Sequence, residues 1–204
     1  MPQTGGTTDI NALLRRAGID AETVEAVISI DALMQTWRRR AMRRELGHKA
    51  LADLAIGIDM AQFDVLVAIE APPAQFGDST GETMVATVAE RLAIDPSRAS
   101  RLVSEMVEAG YAQRAVSQAD ARRTIIELTA AGRLIIEAVR AYKFLILGNF
   151  LSGWDKEEVQ RFTPLLHKFN QWSEHLEAGT SKYADDIALL AEQIAASKAQ
   201  AVPA

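Results

Sequence analysis

Hydrophobic positions in the first third of the chain recur with the spacing of amphipathic helices. From residue 22 to residue 56, apolar side chains return every three or four positions, which is typical of a helix that buries one face. Gly47 is expected to divide this stretch into two helices. Asp59 suits the N-cap of a further helix, and Pro72 and Pro73 should end it because the residue before a proline disfavours helical geometry.

The middle of the chain predicts two helices joined by a tight turn. The first should cover about residues 85–92 and the second about residues 96–109. Asp95 can cap the second helix, and Pro96 suits its first position, where no backbone N–H is needed. Gly110 is a residue typical of the position just after a helix end. A helix, a short turn and a helix can present the second helix to the major groove of DNA.

A β-hairpin should follow the second helix directly. The segments "YAQRAVS" and "RTIIEL" are strand candidates on either side of "QADAR", and together they predict the wing of a winged helix. Thr129 is then expected to cap a long helix, and Asp155 should begin another that runs to about Leu176. The predicted fold is mainly α with a small β-wing, and it comprises a winged helix-turn-helix lobe and a helical region.

Composition narrows the classes of function. The chain has 204 residues, no cysteine and a net charge of -5, so thiolate catalysis, disulfides and cysteine-based zinc sites are excluded. Its three histidines are far apart in the sequence, and no metal site or cofactor is expected. No phosphate-binding glycine loop or nucleophile–base pair is recognisable, so we do not expect an enzyme. Without a secretory signal pattern or a long apolar run, we expect a cytoplasmic protein with no membrane partner.

The local charge around the predicted winged helix differs from the global charge. Six arginines lie between Arg91 and Arg123 against four acidic residues, so the local net charge is +2. Arginine forks match guanine and phosphate acceptors, and serine hydroxyls can donate to phosphate. An ordinary solvated helix and a charged hairpin tip are the alternative, but the order of the elements favours binding to double-stranded DNA. The expected DNA contacts are Ser97, Arg98, Ser100 and Arg101 on the second helix, and Arg122 and Arg123 at the wing tip, with Asp120 orienting a wing arginine.

The residues from Asp59 to Gly132 resemble the MarR family of winged-helix transcriptional regulators. The segment "VATVAERLAIDPSRASRLVSEMVEAGYAQR" resembles its two helices and first wing strand, and "DMAQFDVL" resembles the helix that precedes them. The most specific similarity is the wing pattern, an Asp-x-Arg followed by Leu-Thr-x-x-Gly. The residues of this pattern are Asp120, Arg122, Leu128, Thr129 and Gly132.

This resemblance implies an obligate homodimer, in which helices from both chain ends hold two winged-helix lobes apart. Such a dimer would read a pseudo-palindrome with half-sites about 34 Å apart, and would act as a repressor released by a ligand. A winged-helix dimer that binds proteins or small molecules instead of DNA is the alternative. The expected domains are an N-terminal extension with a tail and short helix (1–22), N-terminal dimerisation helices (23–56), the winged helix-turn-helix (57–129), C-terminal dimerisation helices (130–178) and a C-terminal helix or flexible tail (179–204).

The resemblance also implies a small anionic or aromatic ligand between the dimer helices and the DNA-binding lobe. The candidate pocket residues are Trp37, Arg38, Phe63 and Asp64. The alternative is an exposed basic helix face with aromatic side chains in the core, which is the commoner use of such a charge run. Asp64 and Arg101 match positions of the urate-responsive branch of the family, although the N-terminal extension has no tryptophan where that branch carries one.

Overall fold

A computed structural model describes residues 9–71 and 81–201 of the chain. It confirms the predicted fold class, since the described residues are mostly helical and carry one two-stranded antiparallel sheet. The helices before the sheet are α1 (Ile10–Arg16), α2 (Ala21–Arg43), α3 (Glu45–Asp53), α4 (Met60–Glu70), α5 (Val85–Leu92) and α6 (Pro96–Glu108). The strands are β1 (Ala112–Val116) and β2 (Thr124–Leu128), followed by α7 (Ala130–Leu151), α8 (Lys156–Asn170), a 3-10 segment (Gln171–His175), α9 (Leu176–Lys182) and α10 (Ala184–Ala201).

The chain divides into two compact units. The central unit is Arg40–Gly153, and the terminal unit combines Met1–Arg39 with Trp154–Ala204. The helix-turn-helix and the hairpin therefore lie in one unit, whereas α1, most of α2 and the helices after α7 lie in the other. The five domain ranges expected from the sequence stay predictions.

The core of the central unit forms around α4. Val65, Leu66 and Ala68 of this helix are fully buried, and they belong to one cluster with residues of α3, α5, α6, α7 and both strands. Asp59 begins α4 as predicted: its carboxylate accepts from the Gln62 N–H at 2.8 Å, and the Gln62 side chain accepts from the Asp59 N–H at 3.0 Å. A single core thus fixes the helix-turn-helix and the hairpin with respect to each other.

The start of α7 is tied to the hairpin through a very close approach. Thr129 caps α7 by accepting from the Gly132 N–H at 3.1 Å, and its hydroxyl donates to the Gly110 carbonyl at 2.7 Å. A Cβ atom at Gly132 would lie 2.1 Å from the carbonyl oxygen of Tyr111. Glycine is therefore required here by the neighbouring backbone.

Two expected helix boundaries were wrong. The break between α2 and α3 falls at Arg44, which has a φ of +53°, and Gly47 lies inside α3. Gly47 serves packing instead, since a Cβ atom there would lie 3.0 Å from Cε of Met60. The helix that begins after Asp155 ends at Asn170, and a 3-10 segment follows it. Because a 3-10 helix has fewer residues per turn than an α-helix, the apolar side chains after Asn170 do not continue the same face.

Helix caps and one ion pair organise the terminal unit. Asp9 accepts from the Ala12 N–H at 3.1 Å and begins α1, while Asp20 accepts from the N–H and the hydroxyl of Thr23 at the start of α2. These hydrogen bonds from Thr23 lower the pKa of Asp20. Arg16 of α1 pairs with Asp186 of α10 at 2.9 Å, which joins helices from the two ends of the chain. Among residues 9–71 and 81–201, we find no helix with the length and apolar character of a membrane span.

Candidate nucleic-acid interface

The start of α6 is built by its N-cap. The carboxylate of Asp95 accepts from the Ser97 N–H at 2.8 Å and from the Arg98 N–H at 3.4 Å, and it also accepts a short hydrogen bond from the Ser97 hydroxyl. The Ser97 hydroxyl is the main reason why the pKa of Asp95 lies below its usual value. Ser97 thus donates its proton within the protein and helps to hold the helix start, which leaves its oxygen as an acceptor.

The two faces of α6 differ sharply. Ala99, Leu102, Val103 and Met106 are buried in the central core. The candidate DNA contacts Arg98, Ser100 and Arg101 are all exposed. Arg101 lies 4.0 Å from Glu105 of the next turn, a weak ion pair that leaves 70% of the arginine side chain exposed. The first two turns of α6 therefore present cations and a hydroxyl to solvent on a firmly packed helix.

Two of the six arginines in this region support the fold. Arg91 donates to the carbonyl of Ala68 at 2.7 Å and to the hydroxyl of Thr83 at 2.9 Å, which ties α5 to the end of α4. Arg114 donates to the hydroxyl of Ser104 at 3.1 Å and so joins β1 to α6. The four arginines that the sequence singled out are exposed, whereas Arg91 and Arg114 also hold other elements of the fold.

The wing tip is a compact turn shaped by Asp120. Strands β1 and β2 pair from Ala112 opposite Leu128 to Val116 opposite Thr124. Beyond them, Asp120 accepts from the Arg122 N–H at 3.0 Å, and its second oxygen lies 3.5 Å from Nε of Arg123. Both arginines are exposed. Asp120 therefore fixes the backbone at Arg122 and forms an ion pair with the side chain of Arg123.

Glu82, which precedes α5, supports the wing through a contact that the sequence did not reveal. Its carboxylate accepts from the Gln118 N–H at 2.9 Å and from the buried Ser117 hydroxyl, which is the main cause of its lowered pKa. The Ser117 oxygen in turn accepts from the N–H groups of Ala119 and Asp120 at 3.1 and 3.0 Å. Glu82 is 36 residues from its partner, so no local pattern could have indicated this contact.

Residue Thr83 bonds to strand β2 without forming a strand itself. Its backbone carbonyl accepts from the Ile126 N–H at 2.7 Å, and its side chain is buried. Together with Glu82 it anchors the base of the wing to the chain that precedes α5. The wing is thus a supported element of the central unit, with helix α6 on the other side of β1.

This arrangement agrees with a known family. Residues 56–123 match the sequence model of the MarR family. This third of the chain therefore resembles a MarR-family winged helix. Regulators of this family are generally DNA-binding proteins without enzymatic activity, and they function as dimers.

Solved structures with a similar fold share little sequence with this chain. A transcriptional regulator from Thermotoga maritima is 23% identical, with a TM-score of 0.55 over 72% of this chain and 98% of the other. A MarR family protein from Bacillus stearothermophilus is 20% identical, with a TM-score of 0.56 over 74% and 96%. MepR of S. aureus bound to ethidium bromide is 21% identical, with a TM-score of 0.50 over 66% and 92%. None of the curated proteins matches the sequence significantly.

A cavity of about 550 Å³ adjoins helices α3, α4 and α7 of the MarR-type unit. Its walls combine apolar side chains with three cations and one acid, and they include Arg40, Arg44, Glu45, Met60, Phe63, Val139 and Lys143. Arg44 is held by a two-pronged pair of hydrogen bonds to Asp64, which raises the arginine pKa.

The four predicted pocket residues are divided between the two units. Phe63 lines the cavity of the central unit, and Asp64 holds one of its arginines. Trp37 and Arg38 belong to the terminal unit, where both are exposed. Their part in ligand binding stays a prediction. Within the described ranges, no group of three or more potential ligand side chains could hold a metal ion.

Large apolar side chains on α2 and α7 remain in contact with solvent in the single chain. On α7 they include Phe144 and Leu147, which are 64% and 51% exposed. Those on α2 are Val27, Ile28, Ile30, Leu33, Met34, Trp37 and Met42. On each of the two helices, exposed apolar side chains of this kind are typical of an interaction site.

Proposed function

We propose that the protein is a homodimeric transcription regulator that represses its target by binding a pseudo-palindromic operator and leaves the operator when a small ligand binds. It would act in the cytoplasm. The observation that carries this proposal is the pairing, within one compact unit, of an exposed Arg98–Arg101 helix start with an exposed Arg122–Arg123 wing tip.

The two elements suit two different kinds of contact. The N-terminal turns of a recognition helix reach base edges in the major groove, where an arginine can contact guanine with two donors. A wing arginine suits the narrow minor groove, whose negative potential attracts guanidinium groups. Ser100, exposed between the two helix arginines, can donate to a phosphate.

Removing both wing arginines should weaken binding to every DNA sequence. For Arg122→Ala combined with Arg123→Ala, the salt dependence of log K should flatten by up to about 0.9 for each phosphate that the variant no longer neutralises, because fewer counterions are released. Mobility-shift titrations at several salt concentrations measure both quantities. A control that removes two cations elsewhere is Lys156→Ala with Arg161→Ala, on exposed positions of α8. Unchanged affinity and slope in the wing variant would favour the winged-helix dimer that does not bind DNA.

Replacing an arginine of α6 should change sequence preference more than salt dependence. We expect Arg98→Ala or Arg101→Ala to lose about 1–3 kcal/mol of discrimination at one base pair of each half-site. Selection from a pool of random oligonucleotides, compared with the wild type and the wing variant, measures this. Identical selected sites for all proteins would contradict base contacts by these two arginines.

Dimerisation supports the same function. A twofold dimer presents two identical lobes, which matches the symmetry of a pseudo-palindrome. The apolar side chains that α2 and α7 leave exposed supply the kind of surface that a permanent dimer buries. A single chain would leave this surface in water at a cost of about 25 cal/mol for each Å².

The cavity beside α3, α4 and α7 is our proposed effector site. Phe63 and Met60 offer an apolar wall, while Arg40 and Lys143 supply cations that have no carboxylate within ion-pair distance among the described residues. Arg44 is already neutralised by Asp64. MepR has been solved with ethidium, which is a cation, whereas cations around this cavity favour a small aromatic anion. Binding would lower DNA affinity by favouring a dimer whose lobes do not match the half-site spacing.

Charge at this cavity should decide which aromatic probes bind. We expect 1-naphthoate to bind the wild type, and the double variant Arg40→Ala with Lys143→Ala to bind it at least about tenfold more weakly, since each charged hydrogen bond contributes about 1.5–3 kcal/mol. Isothermal titration calorimetry measures the affinities. The uncharged 1-naphthamide is the matched control and should not distinguish the two proteins. Equal naphthoate affinity in both would contradict the assignment.

A further inference from the structure

A second cavity lies wholly within the terminal unit. It occupies about 400 Å³ between α1, the 3-10 segment, α9 and α10. This size falls in the range of small-molecule sites, which are mostly apolar with a few polar groups. Its walls are chiefly apolar, and they include the half-buried Leu13, Leu14, Ile19, Tyr183 and Leu190.

Hydrogen-bond acceptors mark one side of this terminal cavity. Nδ1 of His175 lies 2.9 Å from the carbonyl oxygen of Gln171. Because a carbonyl oxygen only accepts, Nδ1 carries the hydrogen, and Nε2 of the neutral ring is left as an acceptor. The Thr180 hydroxyl directs its proton to the carbonyls of Leu176 and Glu177, at 3.1 and 3.0 Å. Both lining residues can therefore accept a hydrogen bond from a bound molecule.

Charge is already balanced at this cavity. The carboxylate of Asp186, which lines it, pairs with Arg16 at 2.9 Å. An anion would meet this carboxylate without a free partner cation, and a charged ligand of either sign would lose its hydration against apolar walls. The cavity beside α3 and α4 differs in this respect, because its lining has more cations than acids.

We propose that the terminal cavity binds an uncharged, largely apolar small molecule that carries one hydroxyl group. The apolar walls cover its body, and Nε2 of His175 or the oxygen of Thr180 accepts from its hydroxyl. An apolar side chain from a second copy of the protein is a poorer occupant, because it would bury these acceptors without a donor.

Gly179 gives a direct test. It lines the cavity inside α9, and a Cβ atom there would meet no atom within 4 Å, so Gly179→Leu can fill the space and also favours the helix. With 2-naphthol as probe, equilibrium dialysis of the full-length protein should show saturable binding of one probe per chain. Gly179→Leu should weaken this binding at least about tenfold. The matched control Gly57→Leu, in the central unit and with equally open surroundings, should bind like the wild type.

Two further comparisons test the same site. Ala17→Leu fills the cavity from the side of α1 and should also weaken binding, which keeps the test valid if Gly179→Leu does not fold. The methyl ether, 2-methoxynaphthalene, lacks only the hydroxyl donor and should bind the wild type about tenfold more weakly than 2-naphthol. The proposal is overturned if the wild type shows no saturable binding, if both fillers bind like the wild type, or if the ether binds as tightly as the naphthol. It is also overturned if the fillers abolish the dimer, because the cavity is then a contact between copies.

Discussion

Replacing Phe144 and Leu147 by glutamate should convert the dimer into monomers and remove specific operator binding. These residues lie three positions apart on α7 and therefore share one face of the helix. If that face is buried at the twofold interface, the double variant places four carboxylates there, and their desolvation has no compensating partner. Operator affinity should fall by about 10³-fold or more, towards the level of non-specific binding.

Light scattering after size-exclusion chromatography measures the mass, and mobility-shift assays with the whole operator and a single half-site measure binding. Leu134→Glu is the control, because Leu134 is also on α7 and is 64% exposed, ten positions before Phe144 and away from its face. This control should stay dimeric and bind the operator normally. A double variant that remains a dimer would show that the Phe144 face is not the subunit contact.

The parts of the fold that the sequence predicted well are those fixed by neighbours along the chain. Asp59, Asp95 and Thr129 each bond to an N–H two or three residues later, so their role can be inferred from local spacing. The hairpin strands follow from the short apolar runs on either side of a polar turn. These helix caps and the hairpin pattern predict a helix-turn-helix followed by a wing, which is why the family resemblance is recognisable from the sequence.

The features that escaped prediction depend on contacts between distant residues. Glu82 supports the wing across 36 residues, and Arg91 reaches the end of a helix 23 residues earlier. A count of charges along the sequence treats Arg91 and Arg98 alike. Arg91, however, bonds to groups of the protein, whereas Arg98 is exposed to solvent. Only packing distinguishes an arginine that satisfies a backbone carbonyl from an arginine that is available to DNA.

The helix break at Arg44 shows the same limit. Glycine is expected at such a break because it lacks the steric penalty of a left-handed residue. The structure instead places Arg44 in that conformation, where the carboxylate of Asp64 holds its side chain with two hydrogen bonds. The unfavourable φ of Arg44 thus occurs together with an ion pair to Asp64, 20 residues away. A local sequence pattern does not reveal such a contact.

Replacing Gly132 by alanine should destabilise the central unit more than a methyl addition at any other of its glycines within residues 40–71 and 81–153. The new Cβ atom would lie 2.1 Å from the Tyr111 carbonyl oxygen and 3.2 Å from Cδ2 of Leu128. Backbone atoms must therefore move apart at the junction of α7 with the base of the hairpin. We expect the free energy of unfolding to fall by about 2–3 kcal/mol, as for overpacking of a core. Urea denaturation followed by circular dichroism measures this change.

Gly57 is the control because it lies in the same unit and does not have a positive φ. A Cβ atom there meets no atom within 4 Å, so Gly57→Ala should stabilise the protein by about 0.4–1 kcal/mol by lowering the conformational entropy of the unfolded chain. The two variants should thus shift the urea midpoint in opposite directions. If Gly132→Ala instead unfolded at the wild-type midpoint, α7 would not be locked against the hairpin. The wing would then lose the support that we assign to it, and a rigid two-element DNA surface would no longer follow from this fold.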